Sequence, residues 1–356
     1  MSQNQPTILA GVPEGMDALI LAQQAYGTFG DAKEPKPQVV LHIVRDDRRL
    51  ASLAIALRHF APESRVYTFP AWDCVPYDRV SPSLELTAKR INTLTVLAAG
   101  KRRAGTIILA TLNAVLQRVP HRETIKSALR KVAPDQRFDM GRLARRLDIL
   151  GYQRAGTVME PGEYAVRGGI MDIYPPGRAN PVRLDFFGDT LESIKTFDVE
   201  TQRTTKSLQK LLLMPVSEVL LSDAARKRFR QGYVDRFGAI PSDDPLYETI
   251  SAGQRYQGME HWLPLFHEQL ETFAEFAEPD LISLDHQALQ IATDRFEQIE
   301  EHFRVRADAL KTSQQSAANL GAPYRPLSPE QLYLRPQDWS ATLALFPSQT
   351  FSPFET

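Results

Sequence analysis

Apolar and polar positions set a regular rhythm through residues 38–118. "QVVLHIV" is an unbroken apolar run of strand length, as expected of a strand buried on both faces. "DDRRLASLAIALRHF" follows, with Leu50, Leu53, Ala54 and Leu57 at helical spacing. "SRVYTF" reads as a second strand, "SLELTAKRINTLTVLAAG" as a helix ending at Gly100, "GTIILAT" as a third strand and "LNAVLQRV" as a further helix. Strands alternating with helices predict a parallel sheet covered on both faces.

Near residue 120 the rhythm changes. "DMGRLARRLDILGY" is an amphipathic helix with Asp139 at its N-cap and Gly151 after its last turn. Met140, Leu143, Leu147 and Leu150 share one side, and Arg142, Arg145 and Arg146 form a solvated face elsewhere. Short strand signals follow, punctuated by Pro161-Gly162, Pro175-Pro176-Gly177 and Gly188-Asp189. From 215 helices return in "DAARKRFRQGYVDRF" and "GMEHWLPLFHEQLETFAEFA", then a strand "DLISLD" and a helix around 286–311. Residues 312–330 read as a loose connector, and "LFPSQTFSPFET" supplies no closing element, as in the front part of a longer chain. The expectation is an α/β fold in which a parallel-sheet domain (1–120) is split by a small inserted α+β domain (121–214). A mostly helical part follows (215–345), and 346–356 begin a linker or a further domain.

A chain of 356 residues exceeds one average core. Its net charge of −1 argues against a general polyanion binder, although the first two thirds are mildly basic and the rest acidic. The single cysteine, Cys74, excludes an intrachain disulfide framework and fits a reducing cytoplasm. No signal peptide or bilayer-length apolar run is present, so a cytoplasmic chain without membrane contact is expected.

The stretch "GVPEGMDALILA" lies where a phosphate-binding loop would join a strand to a helix. Such a loop needs GxxxxGK[ST]: backbone N–H groups around the phosphates, a lysine on their oxygens and a hydroxyl on magnesium. Here Gly11 and Gly15 are followed by Met16, Asp17 and Ala18, with no lysine and no hydroxyl, and Asp17 would repel phosphate. An inactive loop is expected. An NTP-driven motor also needs an acidic pair for magnesium, and the dipeptide Asp-Glu is absent throughout. HExxH and GxSxG are absent too, and His261 and His267 are spaced for core packing rather than metal binding. Asp172 and Asp185 lie in strand context and read as structural ion-pair members. Neither a catalytic group nor a metal site is expected.

"VRLDFFGDT" carries the most informative pattern. Side chains alternate across a strand, so Val182, Leu184 and Phe186 face one side and Arg183, Asp185 and Phe187 the other. Gly188-Asp189 fits a two-residue hairpin loop with glycine first. Arg167 comes near if the sheet is antiparallel. Arginine beside an exposed aromatic is the composition of a binding hot spot; a second packed layer fits the same alternation.

The longer segment "MEPGEYAVRGGIMDIYPPGRANPVRLDFFGDTLESIKTFDVETQRT", with "FPAWDCVPYDRVSP" and "GMEHWLPLF", resembles the bacterial transcription–repair coupling factor family over residues 8–345. More distantly it resembles the excision-repair helicase UvrB. The resemblance implies an N-terminal UvrB-like module in which domain 2 is inserted into a split domain 1. It also implies that Gly11–Asp17 are the relic of a nucleotide loop. Domain 2 would bind the damage-recognition subunit UvrA through Arg167, Arg183 and Phe187. UvrB's DNA-gripping hairpin has no counterpart after "WDCVPYD", which favours an adaptor over an ATP-dependent DNA-binding repair module. The family's ATP- and magnesium-dependent DNA translocase and its RNA-polymerase-binding domain would lie in other parts of the full-length protein. An alternative reading has the module clamp, and be masked by, a distant part of that protein.

Overall fold

The structure is a computed structural model and describes residues 6–29, 36–100, 103–238, 244–315 and 323–354. Its principal elements are β1 (Thr7–Leu9), α1 (Met16–Tyr26), β2 (Val39–Val44), α2 (Asp47–Phe60), β3 (Arg65–Phe69), α3 (Leu84–Ala99) and β4 (Thr106–Thr111). They continue with α4 (Met140–Leu150), β5 (Glu163–Arg167), β6 (Ile170–Ile173), β7 (Val182–Phe187), β8 (Thr190–Phe197), β9 (Thr204–Ser207), α5 (Asp223–Phe237), β10 (Leu281–Leu284), α6 (Ala288–Gln315) and β11 (Ser348–Phe351). The chain divides into two compact units, residues 1–78, 100–119 and 269–356 in one, and 79–99 and 120–268 in the other.

The first unit is built on a six-stranded sheet in the order β1-β11-β10-β2-β4-β3, with all neighbouring strands parallel. β2 and β4 are buried along their whole length, as their unbroken apolar sequences require. Leu50, Leu53 and Leu57 of α2 and Leu21 of α1 join Val40, Val44 and Leu109 in one core. Asp46 caps α2 by accepting from the Arg49 N–H at 2.7 Å. The closing segment, expected to provide no further element, instead supplies β11, which lies between β1 and β10. Four residues, Ser348–Phe351, are too short and too polar to announce a strand; pairing with two distant neighbours makes them one.

Three other elements differ from the pattern reading. "LNAVLQRV" forms a single helical turn, Leu112–Val115, before Gln117 bridges to Tyr333. "GMEHWLPLFHEQLETFAEFA" is not one helix. A 3₁₀ turn (Met259–Leu265) contains Pro264, which has no N–H to continue an α-helix, and Thr272 opens a new helix (Phe273–Ala277) through a capping box with Glu275. Finally, α3 is grouped with the second unit. Its Arg90 is fully buried there and pairs with Glu218 at 2.5 Å. Residues 316–322 of the expected connector lie outside the described residues.

The second unit holds a six-stranded sheet in the order β9-β8-β7-β6-β5, with Gln153–Arg154 at the far edge. β5 to β9 pair antiparallel throughout. α4 covers one face. Asp139 caps it by accepting from the Arg142 N–H at 2.8 Å, and Gly151 ends it in the left-handed region at φ 96°. Leu143, Leu147 and Leu150 pack with Tyr164, Met171, Ile173, Val182, Leu184, Phe186, Leu191 and Ile194. Among the described residues no helix is long and apolar enough to cross a membrane.

Candidate protein-binding face

The face of this sheet opposite α4 is set by register. Ala165, Asp172, Arg183 and Lys195 form one row of directly opposed residues, and Arg167, Ile170, Asp185 and Ser193 form the next. Phe187 lies two residues further along β7, past a register shift after Asp185, opposite Thr190 across the Gly188-Asp189 loop. Gly188 has φ +58°, which glycine adopts without steric cost in a tight hairpin loop. The alternation expected of "VRLDFF" is present: Val182, Leu184 and Phe186 are buried, Arg183 and Asp185 half-buried and Phe187 exposed.

The two glycines after Arg167 have separate reasons. Gly168 and Gly169 form the β5–β6 hairpin loop, with Gly168 at φ +58°. Gly169 accepts from the Phe186 N–H at 2.7 Å, and a Cβ there would sit 2.7 Å from the Phe186 carbonyl oxygen. Backbone contact at this point fixes the hairpin tip beside the end of β7. The loops after Arg167 and Phe187 therefore lie at the same end of the sheet.

The three residues singled out from sequence differ in their surroundings. Phe187 is 77% exposed. Arg167 is exposed; its Nε donates to the Gly156 carbonyl at 3.1 Å and its Nη2 to Thr157 Oγ1 at 2.9 Å. Arg183 is more enclosed. Its Nε and Nη2 donate to the two Asp172 oxygens at 2.7 and 2.9 Å, its Nη1 to the Gln202 carbonyl at 3.3 Å, and its guanidinium lies 4.8 Å from the Phe197 ring centre. The Asp172 hydrogen bonds raise the Arg183 pKa further above its ordinary value. Its fork is held by a carboxylate of its own chain. Asp185 accepts from Ser193 Oγ at 2.6 Å and Lys195 Nζ at 3.2 Å, so both aspartates are ion-pair members, as their strand context suggested.

This face is therefore neither wholly bare nor wholly covered. Val158, Ala165 and Phe197 form a small buried cluster on it, and the residue 156–158 loop is tied down by Arg167 and Gln202. Toward the hairpin tips Arg167, Ile170 and Phe187 remain exposed.

The glycine-rich loop of the first unit is also resolved in detail. Gly15, at φ 104°, precedes α1, and Asp17 Oδ1 accepts from the N–H groups of Gly15 and Ala18 at 3.0 and 2.7 Å. The other Asp17 oxygen pairs with Arg49, which also approaches Asp285 at 3.5 Å. The chain's own carboxylate thus sits on the positive end of α1, where an anion is favoured. His261 and His267 are both buried, and His267 Nε2 donates to the Glu218 carbonyl at 2.8 Å. Among the described residues no group of three His, Cys, Asp or Glu side chains is placed to hold a metal ion.

Residues 131–219, which contain the whole face, match the family described as the UvrB interaction domain. The chain is 31% identical over 350 residues to the transcription-repair-coupling factor of Haemophilus influenzae, covering 98% of this chain and 28% of that protein. It is 32% identical over 287 residues to the Escherichia coli protein of the same name, covering 80% of this chain and 24% of that one. The Myxococcus xanthus protein is 36% identical over 218 residues, 60% of this chain and 18% of its own length. The chain spans about a quarter of the length of the Haemophilus influenzae and Escherichia coli proteins. It belongs to the transcription-repair-coupling factor family, as a UvrB-like segment with the UvrB interaction domain at residues 131–219.

Proposed function

We propose that this chain is the adaptor part of a transcription-repair-coupling factor, and that its antiparallel-sheet domain recruits the damage-recognition subunit UvrA to RNA polymerase stalled at a lesion. The observation that carries the reading is Phe187, 77% exposed on the face opposite the core, inside the segment that matches the UvrB interaction domain. Arg167 stands on the same face with no carboxylate of this chain paired to it among the described residues. Arg and large aromatics dominate interface hot spots because they bring apolar area and directed hydrogen bonds together. In this reading Arg167 and Phe187 touch UvrA, and Arg183 acts as a positioning residue through Asp172 and Phe197.

The inserted domain comprises residues 121–214, between a first part at 1–120 and a helical part at 215–345. A core drawn from Ala128 to Val216 supports an inserted domain close to those bounds, although residues 215–268 group with it in the second compact unit. The loop at Gly11–Asp17 is the relic of a P-loop-type nucleotide site, and this segment works without ATP, magnesium or catalysis. The polymerase, the DNA and an ATP-driven translocase engage other domains of the full-length protein. Titration of purified UvrA against the chain tests the reading. Phe187→Ala is expected to weaken binding by roughly 30-fold, the equivalent of about 2 kcal/mol, with an unchanged melting temperature. Wild-type affinity in that variant would remove Phe187 from the interface.

A further inference from the structure

The edge of β8 is shared between two segments. β9 pairs along its second half, at Lys195 and Phe197. Its first half is covered by residues 135–138, which the sequence pattern does not mark as a strand. Asp135 N donates to the Leu191 carbonyl at 2.8 Å, Leu191 N to the Gln136 carbonyl at 2.9 Å, and Phe138 N to the Asp189 carbonyl at 2.7 Å. Arg137 is bridged antiparallel to Thr190, and Thr190 is paired to Phe187.

Directly opposed residues of antiparallel strands project to the same face. Phe138 is buried in the core with Leu184 and Leu191, so its neighbour Arg137 projects to the other side, with Phe187. Arg137 is exposed, and no carboxylate lies within ion-pair distance of it among the described residues. Phe187 therefore stands between two exposed arginines. Arg137 is two strand positions away on one side, about 10 Å at the backbone. Arg167 lies on the other side, one row down, with Ile170 between it and Asp185.

We propose that Arg137 is a further partner-contacting residue of this face. The surface that docks here then presents an apolar pocket for the Phe187 ring and a carboxylate on the β8-edge side of that pocket, matched to the Arg137 fork. A planar guanidinium suits a carboxylate because two parallel N–H···O bonds form at once. This inference rests on the reading that the face docks UvrA, and it adds a second charged anchor to it.

The test uses the intact chain and purified UvrA. Arg137→Gln is expected to weaken binding by about tenfold, and Arg137→Glu further, because it sets like charges against each other. Melting temperatures should stay at the wild-type value, since the 135–138 pairing is made by backbone groups. Added salt is expected to lower wild-type affinity, and that dependence should be shallower in Arg137→Gln. Wild-type affinity in both variants while Phe187→Ala loses binding would overturn the inference and leave the docking reading standing. Wild-type affinity in all three would overturn the reading itself. Loss of affinity that tracks a lowered melting temperature would assign Arg137 a structural role and overturn the proposal as well.

Discussion

Arg183 and Asp172 face each other across β7 and β6, and the guanidinium fork closes on both carboxylate oxygens at 2.7 and 2.9 Å. The Asp172 side chain is 3% exposed and that of Arg183 18%. Removing the arginine leaves a carboxylate with little water and no counter-charge. Breaking a buried pair in this way costs roughly 3–5 kcal/mol, and the partial exposure of Arg183 places it at the lower end. Arg183→Ala is thus expected to lower the denaturation midpoint as well as UvrA affinity. Arg183→Lys should retain part of the stability, since it keeps a charge but loses the fork. Chemical denaturation of each variant, with affinity measured per folded molecule, separates the two effects. An Arg183→Ala variant of wild-type stability would show that the pair contributes nothing.

Gly169 and Gly156 offer a matched comparison on the same face. Neither has a positive φ, and a Cβ on Gly156 meets nothing within 4 Å, whereas one on Gly169 meets the Phe186 carbonyl oxygen at 2.7 Å. Backbone cannot rotate away as a side chain can. Gly169→Ala is expected to destabilise by about 1–3 kcal/mol, the usual range for forced overpacking, and to shift the hairpin tip that carries Arg167. Gly156→Ala should melt like wild type. Equal melting temperatures in the two variants would show that the tip yields freely.

Local pattern and non-local pairing divide what the sequence makes legible. α4 is readable to the residue, because Asp139 and Gly151 mark its ends and its leucines recur at helical spacing. The two faces of β7 are readable because a strand alternates strictly. The partner of Arg183 is not: Asp172 is 11 residues away, and only the register of β6 against β7 brings them together. β11 and the 135–138 edge are hidden for the same reason. Both are short polar segments made regular by neighbours remote in sequence, so no period exists in them to read. The placement of Arg137 beside Thr190 is hidden with that edge. The bridging segment around Pro264 fails differently, since an apolar spacing compatible with a helix is overruled by one missing N–H.

Two buried histidines tie stability to pH. Burial pushes the pKa of His42 down to about 4 and that of His267 down to about 4, from an ordinary 6.5. Both are neutral in the folded chain at neutral pH. Between pH 6.5 and 4 the unfolded chain binds their protons and the folded chain does not. Stability is therefore full above about 6.5 and falls as pH drops through that window, by up to about 1.4 kcal/mol per pH unit for each histidine. Denaturation midpoints at pH 7.5 and 5.0 measure the difference. His42→Gln and His267→Gln should each flatten the slope, whatever their effect at pH 7.5. A slope unchanged in the double variant would assign the acid sensitivity to carboxylates instead.

Asp17 makes the glycine-rich loop its own anion site. Its carboxylate takes the Gly15 and Ala18 N–H groups and the Arg49 guanidinium, the donors of this loop that an anion would otherwise use. A phosphate entering here would have to displace a buried carboxylate and then sit beside it, since Asp17 is 3% exposed and cannot swing into water without opening α1. ATP with magnesium is accordingly expected to leave the melting temperature unchanged. A ligand present at 100 times its Kd would add about 2.7 kcal/mol, so a null result is informative. Asp17→Ala should instead destabilise the chain, because Arg49 is buried and keeps only the longer 3.5 Å approach to Asp285. Loss of one partner from a buried pair costs roughly 3–5 kcal/mol. Asp17→Asn should fall between the two, since its amide oxygen can still accept from Gly15 or Ala18 but no longer balances Arg49. Melts of the three proteins, each with and without ATP and magnesium, decide the matter. Stabilisation of the wild-type chain by ATP, lost on altering Asp17, would show that the loop still holds nucleotide.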